Sequence, residues 1–340
     1  MDKRTAGDLL AVVEDLAPQL TGPGADASLA TLEARYDDIV AAVDWFVDGD
    51  RPDEALRLAS AMYRFWITKS RFDDGAVVFD RVLSSGQGDA RLRGRALLDA
   101  GFMPFWTGDD ERASVLFADA LAIGRATANA PLTSQALGGL ARVALRTDVA
   151  DARRLAHEAL DVSIAADDEA GRSNALHLLG VGAQIAGDLP EARTWMTQRL
   201  TLVRSQGNDF LVASEAGNLS MVERQLGDLD TAESLAREAL RICQRIGDRF
   251  MPPFMFSGLA AIAVERGDLD RAATLIGAAE AHMAAANMAW PPDERPHYER
   301  TVATLDERLT PDALAADRAR GAAMSAQEAI DFALEGAQDP

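Results

Sequence analysis

Apolar residues recur along most of this chain at the three- and four-residue intervals of an amphipathic helix. Alanine and leucine supply most of these positions, and β-branched residues never cluster into the alternating runs that are typical of strands. Short stretches that contain glycine, aspartate or proline separate the hydrophobic segments. The pattern therefore predicts an all-α protein built from consecutive amphipathic helices.

A Gly-Asp dipeptide closes these segments at nearly constant spacing. Glycine accepts the left-handed conformation that ends one helix, and aspartate caps the next, so each dipeptide predicts a turn between antiparallel helices. Successive turns begin 39, 40, 40 and 40 residues apart (147−108, 187−147, 227−187 and 267−227). A threonine replaces the glycine in the second turn. The five turns are Gly108-Asp109, Thr147-Asp148, Gly187-Asp188, Gly227-Asp228 and Gly267-Asp268.

Small residues lie at fixed distances from each turn, where they allow the paired helices to approach closely. An alanine follows the first turn residue by five positions in every repeat, and it recurs seven positions later except where Arg199 interrupts the series. The repeat that ends at Thr147 is one residue short, and its Gly138-Gly139 pair does not align with the others. The alanines are Ala113, Ala152, Ala192, Ala232 and Ala272, then Ala120, Ala159, Ala239 and Ala279; the small residues seven positions before a turn are Gly101, Gly180, Ser220 and Ala260.

This pattern resembles the tetratricopeptide repeat, with a period longer than the usual unit. It is similar to the MalT-like sensor region of large bacterial ATPase/LuxR-type transcriptional regulators, here expected to stand alone. Segments 32–39, 41–45, 271–280, 298–300 and 324–330 support the comparison, which covers nearly the whole chain. The resemblance implies a tetratricopeptide-like α-solenoid of helix-turn-helix repeats about 40 residues long, with a C-terminal helical cap.

The chain departs from those regulators in two respects. It contains no G-x-x-x-x-G-K-[ST] phosphate-binding loop and no basic recognition helix, so neither ATP hydrolysis nor DNA binding carries over. The formal net charge of −20, from 54 acidic and 34 basic residues, would repel a phosphate backbone. We therefore expect no nucleic-acid partner.

Three segments of one continuous solenoid domain are predicted. Residues 1–90 hold N-terminal helices and irregular, aromatic-rich repeats, in which 28–47 pairs with 52–67. Residues 91–288 hold five regular repeats, and 289–340 hold the C-terminal capping helices. In that cap, Thr310-Pro311 is typical of a helix start, and Ser325 with Glu328 predicts a capping box.

Motifs for catalysis, cofactor binding and metal binding are absent from the sequence. The four histidines are scattered over separate repeats, and no nucleophile elbow or dinucleotide fingerprint occurs. Cys243 is the only cysteine, which excludes an intramolecular disulfide and predicts a small buried apolar side chain. With no signal peptide and no apolar stretch of membrane-spanning length, we expect a cytoplasmic protein without a membrane partner, a cofactor, a metal or catalytic residues.

The candidate binding surface follows from the repeat geometry. In stacked helical hairpins the first helix of each repeat lines the concave face, so counting back from each turn identifies the inward positions. These positions predict a groove that is aromatic at one end and polar in its middle. They are Arg95, Phe102, Phe105, Trp106, Arg142, Asn174, His177, Val181, Gln184, Ser214, Met221, Arg224, Phe254 and Ser257.

Aromatic residues crowd the N-terminal third and allow two interpretations. Large rings could fill wide spaces between irregular repeats, or they could form a hydrophobic pocket or peptide anchor on the concave face. They are Trp45, Phe46, Tyr63, Phe65, Trp66, Phe72, Phe79, Phe102, Phe105 and Trp106.

Two functional hypotheses follow. The first is a non-catalytic regulatory or scaffold protein that binds a partner protein segment or a small effector in the concave groove. The alternative is an enzyme that uses the pocket for acid/base chemistry on a small apolar substrate, with His177 and Asn174 as its polar groups. Homodimerisation through the terminal repeats is a further hypothesis.

Overall fold

The computed structural model describes residues 2–20, 25–285, 288, 290 and 294–335. This part of the chain contains eighteen α-helices and no strand. Contacts divide the chain into two compact units, residues 1–187 and 188–340, which are described separately. The predicted all-α, tetratricopeptide-like fold is confirmed, while the predicted segment boundaries after residues 90 and 288 stay predictions.

The first unit is a series of helical hairpins. We call the first helix of each hairpin an A helix and the second a B helix; α4, α6, α8 and α10 are A helices, and α5, α7 and α9 are B helices. Its helices are α1 (Lys3–Leu16), α2 (Ala25–Ala34), α3 (Tyr36–Asp48), α4 (Pro52–Thr68), α5 (Phe72–Leu83), α6 (Ala90–Thr107), α7 (Asp110–Ala126), α8 (Ala130–Ala144), α9 (Val149–Ala165) and α10 (Glu169–Ile185).

The second unit continues the same hairpin pattern and ends in three further helices. Here α12 and α14 are A helices, and α11, α13 and α15 are B helices. Its helices are α11 (Leu189–Ser205), α12 (Asp209–Gln225), α13 (Leu229–Ile246), α14 (Pro252–Arg266), α15 (Leu269–Ala285), α16 (Arg295–Arg308), α17 (Pro311–Ala322) and α18 (Ala326–Leu334).

The predicted turns form as the sequence indicates. The four turn glycines have positive φ values, and each following aspartate accepts a backbone N–H at the start of a B helix, as Asp109 does from Arg112 at 3.1 Å. The Thr147-Asp148 turn, which has no glycine, has a different hydrogen bond. The Asp148 N–H donates to the carbonyl oxygen four residues back, that of Ala144, at 2.7 Å, whereas the Asp109 N–H donates five residues back, to Pro104. The glycine φ values are 86° at Gly108, 80° at Gly187, 87° at Gly227 and 82° at Gly267.

A second series of turns, which sequence reasoning missed, leads into the A helices. One residue per turn again has positive φ, at positions 39, 40 and 40 residues apart (167−128, 207−167 and 247−207). An asparagine or aspartate follows each and accepts a backbone N–H of the next helical segment. The left-handed residues are Ala128, Asp167, Gly207 and Gly247, and the capping residues are Asn129, Asp168, Asn208 and Asp248.

The small residues that flank the turns lie where helices cross, as predicted. All of the repeat alanines on the B helices are buried, with at most 2% of their surface exposed. A side chain added at Gly101 on α6 would come within 2.5 Å of the Phe117 ring on α7. Close packing of A on B helices therefore depends on these small residues.

One prediction about the N-terminal region is wrong in detail. Residues 28–47 were predicted to pair with 52–67 as one segment, but the chain breaks at Arg35, between α2 and α3, and it is α3 that contacts α4. Tyr36, the first residue of α3, stacks on Phe65 with ring centroids 5.7 Å apart, and its hydroxyl accepts from Trp66 at 3.2 Å. These contacts hold the start of α3 in place, which the helical pattern alone does not reveal.

Arg199, which interrupts the alanine series, forms a buried ion pair. Its guanidinium on α11 contacts the Glu215 carboxylate on α12, and the two side chains are only 7% and 0% exposed. Asn218 also donates to this carboxylate, at 3.4 Å. The departure from alanine is therefore explained by a charge pair that joins a B helix to the next A helix.

Both predicted helix starts in the C-terminal region are confirmed. The Thr310 hydroxyl accepts from the Ala313 N–H at 3.3 Å, and Ser325 and Glu328 form a complete capping box. Helix α17 packs on α15 at a crossing marked by Gly277 and Gly321.

Two arginines hold the C-terminal end of α18. Arg237 donates to the Leu334 carbonyl oxygen at 2.7 Å, and Arg271 donates to that of Phe332 at 2.9 Å. The last carbonyl groups of a helix lack intrahelical partners, and cations there also complement the helix dipole. Burial, and then the charge of Arg237, lower the pKa of Arg271. The end of α18 thus docks on the B helices α13 and α15.

Cys243 should be inert in the native protein. The thiol is buried on α13, and burial raises its pKa to about 12. Since only the thiolate reacts, about one molecule in ten thousand is reactive at pH 8. We expect no reaction with Ellman's reagent under native conditions and one equivalent after denaturation. Rapid stoichiometric reaction at pH 8 without denaturant would contradict the buried placement.

Candidate functional site

The predicted groove residues of the first unit lie on three neighbouring A helices. Helix α6 contacts α8, and α8 contacts α10. On these helices Phe102, Arg142, Asn174, His177, Val181 and Gln184 are half-buried, whereas Arg95 and Trp106 are exposed. Most of the predicted positions therefore share one partly open surface, which we call the A face of the first unit.

Phe105 differs from the other predicted positions because its ring is buried. The guanidinium of Arg146 lies 4.1 Å from the ring centre and donates to the Phe105 carbonyl oxygen at 3.0 Å. Arg146 also pairs with Asp110 on α7. Phe105 thus contributes to packing between α6 and the turn that follows α8 rather than to the open surface.

The aromatic residues of the N-terminal third divide between the two interpretations. Phe46, Phe65, Trp66 and Phe79 are at most 1% exposed and form the core between irregular hairpins. Trp106 is 54% exposed at the end of α6 and stacks on Phe72 with ring centroids 6.4 Å apart. Tyr63 on α4 and Phe102 on α6 lie 5.8 Å apart, and both are half-buried. Core packing thus accounts for the first group fully and for Tyr63 and Phe102 in part, because both rings pack against the core and keep an open side.

A buried carboxylate lies beneath the A face. Asp99 on α6 is 1% exposed, and its Oδ2 accepts from Arg95 Nε at 2.8 Å. Burial raises the pKa of Asp99, and the neighbouring Arg95 opposes that shift. Burial, and then the charge of Asp99, raise the pKa of the Tyr63 hydroxyl to about 12. The Tyr63 hydroxyl is therefore neutral at physiological pH.

Arg142 and Asn174 are brought together across two A helices. Arg142 on α8 donates to Asn174 Oδ1 on α10 at 2.6 Å. The Asn174 amide lies against Gly138, where an added Cβ would be only 2.5 Å from its nitrogen. The Gly138-Gly139 pair, which did not align with the repeat, is thus explained: Gly138 makes room for Asn174, and Gly139 makes room for the Phe117 ring.

Gly138→Ala tests this arrangement. Alanine normally gains up to about 1 kcal/mol over glycine inside a helix, but here its methyl group displaces Asn174 and weakens the bond to Arg142. We expect no gain, or a loss, in the free energy of unfolding measured with urea. The matched control is Gly7→Ala on α1, where an added Cβ meets nothing within 4 Å. If Gly138→Ala and Gly7→Ala raise the free energy of unfolding equally, position 138 does not lie against Asn174.

The second unit contains a cleft on its own A helices. Met221 and Arg224 of α12 line it together with Phe254 and Ser257 of α14, all of them predicted groove residues. Ser214, also predicted, is half-buried on α12 and does not line this cleft. The enclosed part measures about 30 Å³, within a space of about 460 Å³ that is open to solvent. The cleft is therefore a shallow groove rather than a closed pocket.

Helix α16 and the residue before it supply parts of this cleft that sequence reasoning missed. Glu294, His297 and Thr301 line it, and His297 Nδ1 lies 3.4 Å from Arg224 Nη2. Arg224 also pairs with Glu265. These residues follow the last regular repeat, so counting back from a Gly-Asp turn could not find them. The contact of α16 with α14 brings them to the cleft.

Aromatic rings extend from this cleft. Phe254 lies 5.8 Å from Trp290, which stacks on Tyr298 with ring centroids 4.4 Å apart. Burial raises the pKa of Tyr298 to about 12, and the hydrogen bond of its hydroxyl to Glu280 adds to the shift. Phe254 thus joins the lining of the cleft to a cluster of aromatic rings.

These surfaces offer a ligand charged groups, hydrogen-bonding groups and aromatic rings. No group of three or more His, Cys, Asp or Glu side chains suited to a metal occurs in the described residues. Among the described helices, none has the length and apolar character needed to cross a bilayer. His177 and Asn174 lie one turn apart on α10, and the acid/base role suggested for them stays a prediction.

Comparisons with known proteins agree with the repeat pattern. A sequence model of the MalT-like TPR region matches residues 133–290. No curated protein matches the sequence.

Solved structures also share the fold. The crystal structure of BtubC (BKLC) from P. vanneervenii has a TM-score of 0.53 and 19% identity, covering 65% of this chain and 92% of that one. A Rap protein complexed with competence and sporulation factor has a TM-score of 0.56 and 14% identity, covering 91% and 85%. A STAND protein with a tetratricopeptide repeat sensor from Pyrococcus horikoshii has a TM-score of 0.57 and 11% identity, covering 94% and 52%. Residues 133–290 are therefore similar to the MalT-like tetratricopeptide-repeat region, and the solved structures share the tetratricopeptide-like fold.

Proposed function

We propose that this protein is a non-catalytic, cytoplasmic regulatory scaffold that binds a segment of a partner protein on the A helices of its repeats. The A face of the first unit carries the proposal, because polar and aromatic side chains from α6, α8 and α10 lie half-buried on adjacent helices. Such side chains are partly desolvated before binding and can still reach a ligand, which is typical of binding surfaces. The similar Rap protein was solved in complex with competence and sporulation factor.

The shape of the cleft on α12 and α14 favours a protein segment over a small effector at that place. Sites for small molecules are usually concave pockets of about 300–1,000 Å³ that bury most of the ligand. The cleft of the second unit encloses about 30 Å³, which is room for one or two water molecules. An extended segment can instead lie along an open groove and insert single side chains.

Site-specific photocrosslinking tests the proposal. A benzoylphenylalanine replaces Gln184 on α10, and in the control protein it replaces Arg154, which is exposed on the B helix α9. Both proteins are irradiated in cell extract, and adducts are identified by mass spectrometry. We expect a defined protein adduct from position 184 that is absent from position 154.

The alternatives give different results. A small effector would produce no protein adduct from position 184, but would raise the melting temperature when a metabolite mixture is added. Adducts of equal yield from both positions would show that the A face is not the binding surface. Either result would overturn the proposal.

A further inference from the structure

We propose that the edge of the first unit where A helices turn into B helices binds a basic amphipathic helix of a partner protein. We call this surface the turn edge, and its apolar residues are Phe72, Trp106, Leu145 and Ile185. Only Trp106 is also a predicted groove residue, so the inference goes beyond the proposed function.

Four apolar side chains mark the turns of successive hairpins in the first unit. Trp106, Leu145 and Ile185 each lie two positions before the first turn residue, and Phe72 is the first residue of α5. The exposed fractions of Trp106 and Ile185 are 54% and 50%, whereas Phe72 and Leu145 are half-buried. Each of these hairpins therefore presents one apolar side chain at the same edge.

Contacts between hairpins join these side chains into a row. Trp106 stacks on Phe72, with ring centroids 6.4 Å apart. Leu145 lies against α10, where a Cβ added at Gly182 would be 3.6 Å from Leu145 Cδ2. Ile185 follows Gly182 by three residues and so lies on the same face of α10. Between these two pairs, α6 packs directly on α8.

The repeat fold does not require apolar residues at this position. In the second unit, the position two residues before the turn glycine holds Gln225 on α12 and Glu265 near the end of α14, and both are exposed. Those helices form the same kind of hairpin. Clustered apolar side chains that remain exposed commonly mark interaction surfaces. The row is therefore better explained by binding than by packing.

Carboxylates flank the row, and the cations beside it are already paired. Arg112 pairs with Asp80, and Arg146 pairs with Asp110. Three carboxylates at these turns form no ion pair within the part of the chain that the structure describes: Asp109, Glu111 and Asp148. Two of these cap B helices through one oxygen each, which leaves the other oxygen for a ligand.

This charge favours a basic partner. A second copy of the chain carries the same net charge of −20, and a nucleic acid or an anionic membrane is also negative, so each would be repelled. Lysine or arginine side chains would instead pair with the carboxylates of the turn edge. An amphipathic helix can present such cations on both sides of an apolar stripe.

The spacing of the hairpins predicts the spacing of apolar residues in the partner. Helices α4, α6, α8 and α10 contact one another in that order, and packed helices lie about 8–10 Å apart. An α-helix rises about 1.5 Å per residue, so seven residues span about 10.5 Å and return to nearly the same face. An apolar residue at every seventh position would therefore meet successive hairpins.

Peptide binding to the full chain tests the inference. The probe is a fluorescein-labelled peptide of three Leu-Lys-Ala-Gln-Ala-Ala-Lys units, followed by fluorescence anisotropy at about 0.15 M salt. It should bind at least about tenfold more tightly than the peptide with alanine for leucine, which has the same charge, because leucine burial is lost. Glutamate in place of lysine should also weaken binding at least about tenfold.

A further peptide tests the spacing. It has the same composition, but its leucines lie five residues apart, which places them on different faces of the helix. This peptide should bind about as weakly as the alanine peptide. These comparisons use the unaltered protein and do not depend on how any variant folds.

Matched double variants locate the apolar contact. Trp106→Gln with Ile185→Gln should weaken binding of the leucine peptide at least about tenfold. The control is Ile164→Gln with Phe210→Gln, which removes apolar side chains that are 58% and 49% exposed and lie away from these turns. The control should change binding less than about twofold.

A second pair of variants tests the charges. Glu111→Gln with Asp148→Asn should weaken binding at least about threefold, and asparagine preserves the helix cap at position 148. The control, Asp119→Asn with Asp161→Asn, removes the same charge from exposed positions within α7 and α9. Binding to this control should be nearly unchanged.

Other results would overturn the inference. Equal binding of the leucine and alanine peptides, or of the two leucine spacings, would reduce the interaction to net charge. Equal losses from the two glutamine pairs, or from the two charge pairs, would place the contact away from the turn edge. If no peptide binds at about 1 mM, the turn edge does not bind a basic helix. The crosslink from position 184 tests the proposed function separately.

Discussion

Gly321→Ala is expected to destabilise the second unit severely. A Cβ at this position would lie 1.9 Å from the Thr274 carbonyl oxygen, and one at Gly277 would lie 2.1 Å from that of Arg318. Both clashes are with backbone atoms, so no side-chain rotation relieves them and α15 and α17 must separate. Overpacking costs about 1–3 kcal/mol, occasionally more, and we expect about 3 kcal/mol or above. In a domain of this size, that loss lowers the melting temperature by roughly 6–12 °C.

Calorimetry on matched variants checks this expectation. Gly258→Ala on α14 is the control, because an added Cβ meets nothing within 4 Å there and alanine is the better helix former. The control should melt at or above the temperature of the unaltered protein, and Gly277→Ala should behave like Gly321→Ala. If Gly321→Ala has the same melting temperature as Gly258→Ala, the backbones of α15 and α17 are not in contact.

The second large effect concerns the buried ion pair of Arg199 and Glu215. Either single change, Arg199→Ala or Glu215→Ala, leaves the opposite charge in a site where the side chains are 7% and 0% exposed. Breaking a buried pair in this way typically costs about 3–5 kcal/mol, whereas replacing both members by apolar residues of similar volume is often neutral or stabilising. We therefore expect the double variant Arg199→Met with Glu215→Leu to be far more stable than either single alanine variant.

A double-mutant cycle measures the coupling between the two charges. It compares the free energies of unfolding in urea of the unaltered protein, Arg199→Met, Glu215→Leu and the double variant, and the coupling should exceed about 1 kcal/mol. A surface pair serves as reference: Arg204 and Glu238 are 47% and 37% exposed and should couple weakly. If the losses in the free energy of unfolding of Arg199→Met and Glu215→Leu add up to the loss in the double variant, the two charges do not stabilise each other.

Much of the repeat architecture could be predicted from the sequence, because its signals are local. Left-handed glycines, capping aspartates and alanines at helix crossings act within one hairpin and recur every 39 or 40 residues. The turns that lead into the A helices could not be recognised as a series in the sequence, because Ala128 and Asp167 take the left-handed conformation without being glycine. The break at Arg35 could not be predicted, because tertiary contacts of Tyr36 hold the start of α3.

The candidate surfaces were predictable only where the repeat is regular. Counting from the turns placed Arg142 and Asn174 on one face, and they are hydrogen-bonded to each other. The same count could not show that Arg146 covers Phe105, since that contact joins two hairpins. His297 and Thr301 belong to α16, which follows the last Gly-Asp turn, so no periodic signal marks them.

Hydrogen–deuterium exchange of the full chain, with and without the protein segment captured at position 184, tests the central claim most directly. Binding on the A face should slow exchange in α6, α8 and α10 and leave the B helices α7 and α9 unchanged. Slower exchange confined to α7 and α9, or no change in any of these helices at saturating segment, would contradict binding of a partner on the A helices.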